Sequence, residues 1–396
     1  MVDIHKYHRR LERSFVRVRE ATIPEANRKA LLDFSRFCMA DGISAGKLHR
    51  YLDDILSLTK NNKKEYLAYT RDDIETIIIK LEQSDYSEWT KYTFKVALRK
   101  FFKWFRGGDE PPEEVRWIKL KTKQCKTKLP EELVTEEEVK KMISVADKPR
   151  DRALLAALYE SGCRIYELLT IRMKHVTFDK YGATINVSGK TGSRRVRLVF
   201  AVGYLQDWLN KHPYNQDTES FVWLKGANSH DLVGYARVRD ILQELADRAN
   251  IRKKVNPHNF RHSRASFLAS HLTESQLKEV FGWTQASRMA SVYVHLSGKN
   301  TDAAILKVYG KVVEEEVKGG VLVPKTCLRC KTENETTNKF CKLCGIPLDT
   351  ETQHELISKE VQQVEASKIM NTLLQDQEVM ALLQKKMLER MQPQAS

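Results

Sequence analysis

Residues 255–296, VNPHNFRHSRASFLASHLTESQLKEVFGWTQASRMASVYVHL, contain side chains able to hold a phosphate and attack it. They supply His258, Arg261 and His262, then Trp283, then Tyr293, and Arg164 in the upstream SGCRIYELL completes an anion clamp. The chemistry that needs these types together is displacement at a phosphodiester. Its transition state gathers negative charge on the non-bridging oxygens. Two guanidiniums, Arg164 and Arg261, match that charge bidentately and stay ionised. His258 can move a proton near neutral pH. Lys190, in the turn SGKTGS, can protonate a departing alkoxide. Tyr293 can form a covalent phosphoester once its proton, with a pKa near ~10, is removed during attack. Trp283 can donate its one N–H to a phosphate oxygen while its ring packs.

Each of these residues also has a plainer use. Arg164 could pair with Glu167 on its own helix, and Lys190 could be a solvated turn lysine. His258 could cap a helix, and Trp283 and Tyr293 could be core aromatics. Taken together and in this order, the plainer uses require several coincidences.

The elements that must position these groups read as mainly α with a small β-sheet. Residues 1–107 show apolar residues at three- and four-residue spacing in the segments 8–20, 25–40, 43–59, 71–83 and 87–106. The last of these carries Phe94, Leu98, Phe101 and Phe105 on one side and Lys95, Arg99, Lys103 and Arg106 on another. That basic face suits either a DNA backbone or solvent. Residues 108–134 contain Gly-Gly, Pro-Pro and the run Lys119, Lys121, Lys123, Lys126, Lys128, and read as a basic extended linker. A second domain, 135–312, opens on a capping box, Thr135 with Glu138. Strands at 182–188 and 194–200 flank the turn that bears Lys190, with helices at about 201–211, 233–250 and through 258–310.

Composition narrows the partners. The formal charge is +15, and the chain is 41% hydrophobic. Residues 1–130 carry +9, residues 131–310 carry +7 and residues 311–396 carry −1. The excess before residue 311 suits a polyanion. The apolar runs are too short for a membrane span, and MVDIHKYHRRLERSF lacks the apolar core of a secretion signal. A cytoplasmic, nucleoid-associated location is the expectation.

Four of the seven cysteines, Cys327, Cys330, Cys341 and Cys344, form two CxxC knuckles. Four thiolates on that spacing suit tetrahedral zinc, and the segment 324–350 is too short to fold on a core of its own. Residues 353–391 read as a long helix with Ile357, Val361, Val364, Met370, Leu373, Met380, Leu383, Met387 and Met391 recurring near helical spacing. It could pack on its own chain or on a partner helix.

The residues named first carry a resemblance. Over about residues 1–310 the chain resembles the tyrosine recombinases of the phage integrase family. GCRIYE matches the family's first arginine motif (Arg164, Glu167), SGKTGSRRVRL its hairpin lysine (Lys190) and HNFRH its His-x-x-Arg-His box (His258, Arg261, His262). GW supplies Trp283, and YVH supplies the nucleophile Tyr293. Ten residues separate Trp283 from Tyr293, one more than the family pattern, and Tyr309 is the alternative phenol. The appended zinc ribbon is more like archaeal members. The resemblance implies a 3′-phosphotyrosyl intermediate without ATP or a catalytic metal. It also implies a helical domain and a catalytic domain clamped around double-stranded DNA, and four protomers on two sites. A C-terminal helix, 301–310 or 353–391, would be exchanged between neighbours. A regulator without catalysis and a topoisomerase IB-like relaxing enzyme are the alternatives.

Overall fold

The computed structural model describes residues 2–120, 130–296, 309, 321–375, 379–383, 385 and 386. The chain divides into two units, Met1–Glu132 with Val233–Val238, and Leu133–Leu232 with Arg239–Ser396.

The first unit is built from α1 (Tyr7–Glu20), α2 (Glu25–Ala40), α3 (Ala45–Thr59), α4 (Arg71–Glu82), α5 (Glu88–Arg106) and the short α6 (Glu113–Arg116). The Ser87 hydroxyl caps α5 by accepting from the Thr90 amide at 3.2 Å, and Gly107 ends it at a φ of 71°. The core is aromatic: Phe34, Tyr66, Phe101 and Phe102 are fully enclosed, and Phe34 meets Phe101 edge-on at 5.3 Å. Truncating one of these phenylalanines to Ala would cost about 3–5 kcal/mol. Much of the basic face of α5 is spent inside this unit. Lys95 pairs with Glu82, and Arg106 donates to the Leu67 and Tyr69 carbonyls at 3.0 Å. The stretch read as linker from residue 108 begins differently. It forms α6 and buries Val115 and Ile118 in this core, because two apolar residues three apart suffice for one helical turn against α4 and α5. Residues 121–129, the rest of the basic run up to Lys128, lie outside the described residues.

In the second unit α7 (Glu136–Ser144) starts on the expected capping box. Thr135 Oγ1 accepts from the Glu138 amide at 3.3 Å, and Glu138 accepts from the Thr135 amide at 2.8 Å. The helix α8 (Pro149–Ser161) is buried from Ala153 through Ser161, which accounts for its unbroken ALLAAL run. After α9 (Ile165–Leu169), strands β1 (Val176–Asp179), β2 (Gly182–Gly189) and β3 (Gly192–Leu198) form an antiparallel sheet in that order. The hairpin pairs Gly189 with Gly192, leaving Lys190 and Thr191 as its turn. The strand β1 was not legible in the sequence, because as a short, mostly exposed strand it has no buried-exposed alternation. Then follow α10 (Val202–Asn210), α11 (Tyr235–Arg248), α12 (Pro257–Ala269), α13 (Glu274–Phe281) and α14 (Met289–Leu296). The ribbon contributes β4 (Lys325–Thr326) and β5 (Glu333–Asn334), and α15 runs over Thr350–Gln375.

Among the described residues, the apolar stripe of α15 packs on nothing. Ile357, Val361, Val364, Met370 and Leu373 are all exposed, and Thr352 is its one buried described residue. Met387, Met391 and most of 301–310 lie outside the described residues.

Candidate active site and metal centre

The site is assembled where α8 ends and α13 ends. Gly162, at a φ of 54°, closes α8; a side chain there would run into the Phe281 ring. Its carbonyl accepts from Arg261 Nη1 at 2.8 Å, and the Phe281 carbonyl accepts from Arg261 Nη2 at 2.6 Å. Two of the five guanidinium donors are thus spent on fixing the plane of Arg261. That guanidinium lies 5.1 Å from the Phe281 ring centre and 5.6 Å from that of Trp283.

Arg164 follows Gly162 by two residues and precedes α9. Its Nη1 pairs with Glu167 Oε1 at 2.8 Å, and its Nη2 donates to the Gly282 carbonyl at 3.3 Å. The plain ion pair with Glu167 is therefore present, and the same guanidinium also reaches the end of α13. Glu167 is almost fully buried, and its other oxygen accepts from the Arg164 amide at 3.0 Å and from Arg194 Nη2 at 2.8 Å. Burial pulls the Glu167 carboxyl up, but Arg194 and Arg164 together hold it below the ordinary range. Arg194 was missed by the sequence reading. It bridges Glu167 and, through Nε at 2.9 Å, the Val280 carbonyl, so it ties the hairpin to α13. The signal was available: Arg194 shares the inward phase of β3 with buried Val196 and Leu198. At Gly282, with a φ of 58°, an added Cβ would lie 2.7 Å from Arg194 Nη1.

Glu167 is the anion shared by Arg164 and Arg194, and the charge of Arg164 also acts on Arg261. Burial first, then the charge of Arg164, lowers the Arg261 pKa to about 10, which leaves it charged at neutral pH.

Tyr293 lies on α14 and is 5% exposed. Its ring is parallel to that of Trp283, with centres 5.7 Å apart, and Trp283 stacks in turn on Phe281 at 5.0 Å. Between Trp283 and α14 the chain makes a turn closed by the Ser287 amide donating to the Thr284 carbonyl at 2.9 Å. The Tyr293 hydroxyl is hydrogen-bonded to His262 Nδ1. Burial raises its pKa to about 12 despite the opposing charge of Arg261. His258 lies in the first turn of α12, its ring 4.2 Å from that of His262. It is not the helix cap; Asn256 is, accepting from the Asn259 amide at 2.9 Å.

The structure thus brings together Arg164, Glu167, Arg261, His258, His262, Trp283 and Tyr293. It does not bring in Lys190 by any bond: the side chain is exposed at the hairpin turn with no polar partner among the described residues. Its neighbour Thr191 reaches the site, donating to the Gly282 carbonyl at 2.9 Å. Tyr309 is 77% exposed and touches none of these groups among the described residues.

The second cluster is the ribbon. The Sγ atoms of Cys327, Cys330, Cys341 and Cys344 lie within 4.8 Å of one another, with two pairs at 3.5 Å. A tetrahedral zinc with bonds of about 2.3 Å needs S–S edges of about 3.8 Å, so the set fits that ion. Both knuckles turn tightly: the Lys331 amide donates to the Cys327 carbonyl and the Gly345 amide to the Cys341 carbonyl, each at 2.9 Å. Buried Asn334 donates to Cys341 Sγ at 3.7 Å, as suits a thiolate. The ribbon rests on its own unit through Tyr204 and Thr337, whose hydroxyls are 2.7 Å apart, and through Glu136, which accepts from the Val321 amide at 2.7 Å.

Residues 132–300 match the model of the phage integrase family. The tyrosine recombinase XerA of Pyrococcus horikoshii is 29% identical over 300 residues, covering 74% of this chain and 97% of the relative. The XerA of Pyrococcus furiosus is 30% identical over 286 residues, covering 70% and 93%. Among solved structures, the Tn1549 transposon integrase in complex with transposon right end DNA aligns with a TM-score of 0.55 at 16% identity, covering 71% of this chain and 98% of that one. A lambda integrase dimer bound to a COC′ core site aligns with a TM-score of 0.54 at 13% identity, covering 69% and 78%.

Proposed function

The chain belongs to the phage integrase family of tyrosine recombinases, and from that membership we propose that Tyr293 is its nucleophile, with Arg164 and Arg261 as the phosphate clamp. It is a site-specific recombinase that cuts and rejoins DNA strands. In the proposed mechanism the Tyr293 oxygen attacks the scissile phosphorus and forms a 3′-phosphotyrosyl bond. The P–O5′ bond breaks, and Lys190 protonates the departing 5′ oxygen. Arg164 and Arg261 hold the non-bridging oxygens, while His258 and Trp283 donate to them. Glu167 and Arg194 position Arg164. The freed 5′-hydroxyl then attacks the partner strand's phosphotyrosine, so the ester conserves the bond energy.

The observation that supports this reading is one chain of contacts. Arg164 holds the Gly282 carbonyl, Arg261 lies over Trp283, and Trp283 stacks on Tyr293. Lys190 comes from an exposed hairpin turn, where a long side chain is free to reach a leaving group. We extend the reading to a tetramer on two double-stranded DNA sites in the cytoplasm. The helical unit and the catalytic unit would both contact the duplex, and a structural zinc would be held by Cys327, Cys330, Cys341 and Cys344. When bound, the zinc would cross-link the two knuckles; catalysis needs no metal.

The test is capture. The protein is incubated with sheared genomic DNA of its own source and denatured, and the covalent adduct is isolated. Peptide mapping should find phosphotyrosine at residue 293, and sequencing the attached DNA should return one recurring site. Failure to form any adduct would support a regulator without catalysis. Relaxation of a supercoiled plasmid carrying two sites, without strand exchange, would support a topoisomerase-like enzyme.

A further inference from the structure

The mechanism above leaves the proton of Tyr293 without an acceptor. A phenol with a pKa near 12 is ionised in only about one molecule in 10⁵ at pH 7, so a base must act during attack. Lys190 is committed to the leaving group, His258 to the non-bridging oxygens, and the arginines are cations. Among the described residues, the side chain hydrogen-bonded to the phenolic oxygen is His262, through Nδ1.

We propose that His262 is the catalytic base of Tyr293, a role separate from that of His258. The proposal rests on the reading of Tyr293 as nucleophile. Neutral His262, protonated on Nε2, accepts the Tyr293 proton at Nδ1 as the Oη–P bond forms. The P–O5′ bond breaks, and the 5′ oxygen takes its proton from Lys190. In rejoining, the incoming 5′-hydroxyl gives its proton back to Lys190 and attacks phosphorus. The Oη–P bond then breaks, and imidazolium His262 returns the proton to the phenolate. Every proton lost by one group is gained by another, so no co-reactant is needed.

Geometry divides the two histidines of HNFRH. They lie four residues apart on one face of α12, with ring centres 4.2 Å apart. His262 sits toward α14, its ring centre 5.8 Å from that of Tyr293. His258 sits one turn nearer the helix start and is exposed. Parallel stacking against Trp283 holds the phenol ring from its other face, so the hydroxyl is aimed before DNA arrives.

The test uses the full chain and a nicked suicide duplex carrying the site recovered by adduct capture, read as single-turnover cleavage. His262→Gln should slow cleavage by about 10²–10⁴-fold with duplex binding unchanged. Replacing Tyr293 with a fluorinated tyrosine, whose phenol is more acidic, should restore much of the rate in the His262→Gln background and change wild type little. A duplex with sulfur in place of the bridging 5′ oxygen needs no leaving-group proton. It should rescue Lys190→Ala but not His262→Gln. Wild-type cleavage by His262→Gln, or its rescue by the sulfur substrate, overturns the proposal. Should His262→Gln fail to bind duplex, His262→Asn takes its place with the same outcomes. Tyr293→Phe separates the two claims. An adduct that persists in Tyr293→Phe removes the nucleophile itself, whereas loss of the adduct there with full activity in His262→Gln removes only the base.

Discussion

The cluster around Arg261 and Tyr293 and the cysteine ribbon are held together by different means. Around Arg261 the chain has built a core: Ala265, Leu277, Phe281 and Ala290 are fully buried beside Tyr293. The arginines are fixed by the carbonyls of residues 162, 281 and 282, which belong to helix ends that packing already holds. The ribbon has two strands of two residues each, and Leu328 and Leu343 of its knuckles point to solvent at 87% and 71% exposure. Its shape rests on backbone turns around four sulfurs. One site should therefore keep its geometry when its chemistry is removed, while the other should lose both together.

The largest effect expected is on the first site. Tyr293→Phe should reduce the covalent adduct below detection and leave duplex binding nearly intact. The ring and its stack on Trp283 remain and only the hydroxyl is lost, so the melting temperature should move by no more than a few degrees. A drop much beyond that would mean that the hydroxyl of Tyr293 holds the core together, contrary to the contrast drawn above.

Next is Arg261→Ala. Cleavage should fall by on the order of 10²–10³-fold, the usual loss on removing one preorganised donor from a developing anion. Stability should fall as well, because the Gly162 and Phe281 carbonyls lose their donors in a buried place, at about 1–3 kcal/mol each. Arg164→Lys should lose less stability, since Arg164 is partly exposed, but nearly as much rate, since an ammonium cannot take the bidentate geometry. Chemical denaturation and single-turnover cleavage on the same variants separate the two effects.

For the ribbon, chelation should behave the opposite way. Stripping zinc should expose residues 324–350 to protease while circular dichroism retains the helices of both units and Tyr293 still forms its adduct. Protection that survives chelation would mean that the turns and the contacts with Tyr204 and Glu136 suffice without an ion.

The same contrast explains what was legible in the sequence. Five helices of the first unit, the hairpin and the capping box at Thr135 follow from apolar period and capping chemistry, which are local. The ribbon was legible because thiol spacing along the chain is itself the geometry of the site. Arg164, Arg261, His258 and Tyr293 could be named by type, yet what links them could not. Gly162, Phe281 and Gly282 act through carbonyls, and a carbonyl has no residue identity to read. Arg194 looked like one more basic residue in RRVR until the register Val187–Arg194 put it on the inner face. The exposure of α15 was hidden for another reason: a wandering apolar stripe does not say what covers it, and only the packing shows that no described residue does.

The smallest effect concerns how the ribbon is attached. Glu136 accepts from the Val321 and Leu322 amides, and its other oxygen lies 3.8 Å from Arg264 of α12, the helix that carries His258, Arg261 and His262. Glu136→Gln keeps an acceptor but removes its charge, which should weaken the attachment by about 1 kcal/mol. With zinc present, proteolysis near residue 321 should rise several-fold while cleavage of DNA stays at the wild-type rate. The ribbon would then be an independent module. A matching fall in cleavage would instead mean that Arg264 transmits the state of the ribbon into α12, and that the two regions are one device rather than two.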